Sequence, residues 1–514
     1  MTRRFLSRHF LLRDTAFLAY LALATLLIHF LTNGGYGYFR DEFYYLACGE
    51  HLAWGYVDQP PFVALMAWVT RNLLGESLFA LRFFPAVCGA LVVLLTGLMA
   101  RELGAGRFGQ VLAAVAVIIA PAYLGINNSF SMNCFDHLFW ALAVYIIIRI
   151  LKDDKPKLWV VFGLVAGIGL MNKYSVGFLG FGLVVGLLVT SARKHLLSKW
   201  LWVGGLLAFV IFLPHVLWQV ENGFPTREFI RNATELKNAP LSPGVFLWAS
   251  VLQVHPFTIP IWLAGLLFYL HSSEGRRFRA VGWIFISILG LFLLTRAKPY
   301  YLAPSFLMLF AAGGVLIESL VQDRNLNWLK PASLTLLAIG GLATAPFALP
   351  VLPVESFIKY QNALGIEPPR EERDAPGKLP QHYADMFGWE NMVATVARVY
   401  NGLSPEEKAK CAVFAGNYGE AGAIDFFGKQ YGLPKAISGH NNYWLWGPRG
   451  YTGEIVITVG VSPEGVREGF EQIEVAATVV SEYARSFETN IPVLICRRPK
   501  APLQEAWPRL KHYI

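Results

Sequence analysis

Cysteine is scarce in this sequence, five residues in 514, scattered with none of the paired spacings of a metal site. Cys88 lies inside an apolar run and Cys134 at the edge of another, so both are expected to be packing residues. Cys411 and Cys496 fall in two expected strands near the end of the sequence, where a disulfide is open if that region faces an oxidising compartment. A complete nucleotide-binding fingerprint is also missing. The nearest segment, "GNYGEAG", puts glycines at a strand-to-helix turn, which can seat a phosphate on helix N–H groups but is more often a turn with no ligand. No cleavable leader is evident: the first apolar run is too long and lacks a small-residue cleavage site, so a retained anchor is expected. No internal repeat is found, which argues against a transporter built from matching halves.

What is abundant is apolar surface. The chain is 55% hydrophobic and 14% aromatic, with a positive mean hydropathy, more than a soluble protein of this size needs. The formal charge of +9 sits in short basic clusters between apolar runs. That is a topology signal, and it excludes nucleic acid as a partner.

A spanning helix needs about 20 mostly apolar residues. Segments 14–32, 82–100, 109–126, 135–151, 158–172, 175–191, 200–219, 246–270, 280–296, 302–321 and 332–352 qualify, which makes about eleven spans. Basic residues test this count. Arg3, Arg4, Arg8 and Arg13 precede the first span; Arg101 and Arg107 follow the second; Arg149, Lys152, Lys155 and Lys157 follow the fourth. Arg193, Lys194 and Lys199 follow the sixth, Arg276, Arg277 and Arg279 the eighth, and Arg324 and Lys330 the tenth. Alternating spans put every cluster on one side, which the positive-inside rule makes the cytoplasm. The expected fold class is a polytopic α-helical membrane protein of a bacterial inner membrane, N-terminus cytoplasmic. Its membrane domain covers residues 1–353, with exterior loops at 33–81, carrying interfacial helices, and at about 220–245. A soluble periplasmic α/β domain covers 354–514.

That domain begins after a charged, proline-rich linker, "EPPREERDAPGK". "CAVFAG", "EIVITVG", "EVAATVV" and "PVLICRR" have the composition of strands, and "PEGVREGFEQ" that of a helix.

Ionisable residues collect at the outer face. Asp41 and Glu42 stand a few residues beyond the first span in "GYGYFRDEFYYLACGEHLAWGYVDQPP", with Asp58 before the Pro-Pro turn. Asp136 follows "NNSFSMNCF", Lys173 lies in "GLMNKYS", His255 in "QVHPFTIP", and Lys298 in "TRAKPYYLAP". A single such residue can snorkel; so many beside one membrane face indicate a functional cavity. Lysines, with Arg82, can bind a phosphate. A carboxylate can take a proton from an acceptor hydroxyl or amine as it attacks a sugar carbon. A departing lipid phosphate needs charge stabilisation, from lysine or a metal.

The acidic pair after the first span, "VDQPP", "LRFFPAV", "NKYS" and "KPYYLAP" resemble the polyprenol-phosphate-sugar-dependent glycosyltransferases of the membrane GT-C class. These are glycosyltransferase family 39 and its relative the lipid A aminoarabinose transferase, and the resemblance covers about residues 10–350. It implies Asp41, ahead of its neighbour Glu42, as catalytic base. Asp58, Asp136, Lys173, His255, Lys298 and Tyr300 would serve the donor site, with Lys173 and Lys298 on the phosphate. The implied partners are a polyprenyl-phosphate sugar donor, membrane lipid, and a lipid, glycan or protein acceptor. The sequence departs from the aminoarabinose transferase at Gln59, where that family has a basic residue, which leaves the acceptor open. Some relatives bind zinc; Asp58 and His255 are the residues that could hold a divalent ion (Zn, or Mg/Mn), and two ligands do not make a site.

In the C-terminal region, "LPQHYADMFGW" and "ISGHNNYWLWGP" carry His382, Tyr383, His440, Asn442 and Tyr443, polar groups among aromatics that can contact a sugar or acceptor. Competing readings are an O-antigen ligase or polymerase, with Arg227 and Arg231 on a diphosphate, and a transporter or flippase.

Overall fold

The computed structural model describes residues 2–238, 241–368 and 377–514, with side chains from Ala16 onward. The central part of the proline-rich linker lies outside the described residues. The chain divides into two compact units. The first comprises residues 1–35, 79–216 and 240–352; the second comprises 36–78, 217–239 and 353–514. The segment around Asp41, expected as an exterior loop of the membrane domain, therefore folds with the C-terminal region. So does most of the second loop.

The first unit is helical, and each of the eleven apolar segments is helical over most of its length. Among the described residues five helices are long and apolar enough to cross a membrane: Leu78–Leu103, Met132–Asp153, Lys199–Glu221, Glu274–Thr295 and Pro299–Asp323. Among the described residues the number rises to eight if each bent pair is one span. Ala16–Thr32 and Leu158–Asn172 are shorter apolar helices. Two expected continuous spans are instead broken. The 109–126 segment bends by 61° between Arg107–Ile119 and Pro121–Asn127, because Ala120 takes the extended backbone (ψ 120°) that a residue before proline prefers. The 246–270 segment turns by 90° at the Val254–His255 junction. His255 is thus not inside a continuous helix. It adopts a positive φ of 75° before Pro256, and its Nδ1 accepts the Phe257 N–H at 3.1 Å.

The second unit contains a four-stranded mixed sheet of order β1-β2-β4-β3: β1 (Cys411–Ala415), β2 (Ile455–Val459), β3 (Phe470–Val479) and β4 (Ile491–Pro499). β1 pairs parallel with β2, while β4 is antiparallel to both β2 and β3. Ala412, Val456, Leu494 and Cys496 meet Ile437 and Trp507 in its core. "PEGVREGFEQ" does not form the expected helix. Pro463–Val466 makes a single turn under a Ser462 cap, and the chain enters β3 at Phe470. Cys411 and Cys496 are both free; they lie on strands separated by β2, each facing its own partner there.

Candidate functional site

In the second unit, the helix Arg40–Glu50 starts from an extended Phe39 whose N–H is taken by Glu42 Oε2 at 2.8 Å. Two acids in the first turn suit the positive end of the helix. They diverge in role. Glu42, at the third helical position, is fully buried and serves as the cap. Asp41 keeps 32% of its side chain exposed.

Asp41 Oδ1 accepts the Tyr418 hydroxyl at 2.8 Å, and Tyr418 accepts from Arg40 Nη2 at 2.9 Å. Tyr418 opens the helix Tyr418–Phe427, whose Asn417 cap binds the Gly419 and Glu420 N–H groups at 2.8 and 3.1 Å. The Tyr418 N–H donates to His440 Nδ1 at 3.3 Å. These partners fill the seat that "GNYGEAG" could have offered a phosphate. The glycines serve contact between helices: a Cβ at Gly419 would strike Arg40 Cγ, and one at Gly422 would come within 2.8 Å of Phe43 Cβ.

Asp58 is half-buried beside this helix pair. It accepts the Tyr44 hydroxyl at 2.8 Å, and Asn442 Oδ1, 3.1 Å from the same hydroxyl, accepts the Val57 N–H at 2.7 Å. The Tyr44 and Tyr418 rings lie 4.7 Å apart. Burial pushes the Asp58 carboxyl up to about 6; the Tyr44 hydrogen bond holds it down, and negative Asp41 raises it further.

Behind Tyr418 lie two more buried acids. Asn417 Nδ2 donates to Glu488 Oε1 at 3.0 Å, and the Asn417 N–H to Glu420 Oε2 at 3.2 Å. Burial lifts Glu420 well above the carboxylate range, and neighbouring Glu488 lifts it further. Burial also pushes Glu488 up to about 7, against the pull of Arg40. Both acids thus hold their protons more tightly than free carboxyls do. The sign for stability follows: the folded pair holds its proton more tightly than the unfolded chain, so its stability is fully present below about 4.5 and is lost as pH rises through about 7. Glu488→Gln keeps the acceptor for Asn417 and is expected to flatten that part of the fall in melting temperature. Thermal unfolding of the two proteins between pH 5 and 8 checks this; parallel curves would refute it.

Several expected acceptor residues are core residues of this unit. Tyr383 and Tyr443 are each 1% exposed; Tyr443 donates to Asp425 Oδ2 at 3.0 Å, and Tyr383 packs edge-on against Tyr36 and Phe357. His440 is buried between the Tyr418 N–H and the Ile514 carbonyl, 2.9 Å from Nε2. His382 is half-buried with its ring against Tyr383. Asn442 braces Tyr44 and Val57. As placed, the two tyrosines and His440 cannot stack on a glycan.

In the first unit, Lys173 breaks the chain between the helices Leu158–Asn172 and Ser175–Leu188. Its ammonium donates to Asn133 Oδ1 at 2.6 Å, lies 3.9 Å from Asp136 Oδ2, and sits over the rings of Tyr300 and Tyr301 at 5.1 and 4.8 Å. Asp136 is 2% exposed and also accepts the Ser175 hydroxyl. Asp136 is therefore the counter-ion of Lys173. The turn carrying both tyrosines begins at Lys298, which is half-buried and has no ion-pair partner among the described residues. Arg82 is fully buried, donating to the Asn33 carbonyl at 2.9 Å while its own carbonyl accepts from Asn33 Nδ2 at 3.2 Å. It ties the end of the first helix to the start of the next rather than presenting a free cation.

Among the described residues no three His, Cys, Asp or Glu side chains gather as a metal site. Asp58 and His255, the two residues that could hold a divalent ion, fall in different units. Tyr418, Arg40 and Tyr44 were not singled out from sequence. The arginine directly before the acidic pair was a signal present in the sequence.

Residues 58–218 match the family described as dolichyl-phosphate-mannose-protein mannosyltransferase. The chain is 25% identical over 209 residues to the lipopolysaccharide core galacturonosyltransferase RgtB of Rhizobium johnstonii, covering 40% of this chain and 42% of that one. It is 24% identical over 321 residues to the lipid A galacturonosyltransferase RgtD of the same organism, covering 61% and 66%. The chain thus spans less than two thirds of the length of the curated relatives it matches. Among solved structures, ArnT from Cupriavidus metallidurans, in a crystal structure bound to undecaprenyl phosphate, superposes with a TM-score of 0.60. That match covers 93% of this chain and 97% of ArnT at 14% identity. The chain has the fold of ArnT, and the resemblance to GT-C glycosyltransferases read from the sequence stands.

Proposed function

We propose that this chain is an inner-membrane glycosyltransferase that moves a sugar from a polyprenyl-phosphate donor to a periplasmic acceptor, with Asp41 as general base. One observation carries the reading. Of the two acids after the first span, Glu42 is consumed as a helix cap, whereas Asp41 is bound through Oδ1 alone and stays partly exposed. A partly exposed carboxylate with one oxygen fixed is suited to general-base work.

In this reading eleven spans leave the N-terminus in the cytoplasm and residues 354–514 in the periplasm. Asp41 Oδ2 takes the proton of an acceptor hydroxyl or amine as that atom bonds to the anomeric carbon. The bond from that carbon to the phosphate oxygen breaks, and its electron pair leaves with the lipid phosphate. That charge needs a cation beside it, the part the resemblance gives to Lys173 and Lys298. A single displacement inverts the anomeric configuration. The relatives named for lipopolysaccharide core and lipid A make a glycolipid acceptor the first to try, and their galacturonosyl specificity makes a uronic acid the first sugar.

The test is transfer of label by the purified protein from radiolabelled polyprenyl-phosphate sugars, galacturonic acid and aminoarabinose first, to lipid A, core lipopolysaccharide and membrane extract. Transfer that depends on the polyprenyl carrier is the expected result. No transfer from any donor to any acceptor would sink the proposal.

A further inference from the structure

We infer that Tyr418, far along the chain from the acidic pair, is a positioning residue for the transfer reaction: its hydroxyl, oriented by Arg40, fixes the Asp41 carboxylate through Oδ1 and turns Oδ2 outward to take the proton. This rests on Asp41 being the base.

The direction of each hydrogen bond follows from what the groups can do. A guanidinium only donates, so Arg40 Nη2, 2.9 Å from the phenol oxygen, must give its hydrogen to Tyr418. The single phenolic hydrogen is then left for Asp41 Oδ1 at 2.8 Å. Donation from a cation strengthens the O–H as a donor inside a low-dielectric setting. Arg40 is itself held: its backbone N–H donates to the Asp385 carbonyl at 3.0 Å, its guanidinium sits 4.9 Å over the Tyr418 ring, and its side chain is 8% exposed. Tyr418 is fixed at both ends, its N–H on His440 Nδ1 and its ring 4.7 Å from Tyr44. Oδ2 of Asp41 has no hydrogen-bond partner among the described residues. Without the Tyr418 hydroxyl the carboxylate can rotate, and neither oxygen is held in the geometry that proton transfer needs.

The experiment uses full-length protein in detergent carrying Tyr418→Phe, which keeps the ring and its stacking. Tyr451→Phe is the control, because it removes another tyrosine hydroxyl of the same unit, bonded to the Lys435 carbonyl at 3.0 Å and remote from any role given above. Loss of a donor to a charged group predicts a fall in kcat on the order of 10- to 100-fold, with KM for the donor unchanged and Tyr451→Phe at the wild-type rate. A second readout needs no turnover: labelling of Asp41 by a water-soluble carbodiimide and an amine, followed by peptide mass spectrometry at one fixed pH, should be faster in Tyr418→Phe than in wild type. Wild-type kcat in Tyr418→Phe would overturn the inference, whether or not labelling changes. So would equal losses in the two variants, which would mark a merely structural hydroxyl. If the wild type itself transfers no sugar, the reading of Asp41 as base falls and this inference with it, while the labelling difference would still report the contact.

Discussion

Asp41→Asn is expected to lower sugar transfer by about 10²- to 10⁴-fold, the range a positioned general base contributes, while donor binding and folding persist. The geometry makes this a clean substitution. An asparagine oxygen can still accept the Tyr418 hydroxyl, and the side chain is partly exposed, so removing its charge strands no buried group. Arg40 Nε is 4.0 Å from Asp41, and the charges of Asp385 and Glu488 also bear on it. Glu42→Gln is the comparison, because glutamine can still cap Phe39; its effect should be a small fraction of that loss. Label transfer and donor binding measured side by side decide the matter. A reversed order, with Glu42→Gln dead and Asp41→Asn active, would move the base by one residue.

Lys173→Met should act twice, on stability and on the donor. The lysine is the counter-ion of an Asp136 that is 2% exposed. Removing one partner of a buried pair leaves an uncompensated charge and costs about 3–5 kcal/mol, which thermal unfolding in detergent would detect. Asp136→Asn in the same protein should recover much of that stability, since an amide can still accept the Ser175 hydroxyl. It should not recover affinity for the polyprenyl-phosphate donor, because the cation is still missing. Recovery of both would mean that Lys173 only balances Asp136 and that phosphate binding falls to Lys298 alone.

The positions of the helices and strands were legible because their causes are local. Runs of about 20 apolar residues are the cheapest way to satisfy backbone groups in lipid, and β-branched runs such as "EIVITVG" fit a pleated, buried strand. The misread "PEGVREGFEQ" shows the limit of local reasoning: one capped turn satisfied its helix signals, and pairing with β4 claimed the rest. The placement of Asp136 and Lys173 at helix ends was also legible, since charges avoid the middle of apolar helices.

The sequence by itself thus determined that this is a chain of apolar helices with a β-containing C-terminal region, and that ionisable groups crowd certain helix ends. Only the tertiary structure decided what each of those groups does. It separated Asp41 from Glu42 by burying one as a cap and bonding the other to a tyrosine 377 positions away. It turned Arg82 into a tie on Asn33 and Asp136 into the counter-ion of Lys173. It also placed Tyr383, Tyr443 and His440 in a core where composition alone had suggested a glycan surface. The physical reason is that transfer free energies and periodicity act along the chain, whereas a hydrogen bond belongs to whichever donor and acceptor packing brings within about 3 Å, however far apart they stand in sequence.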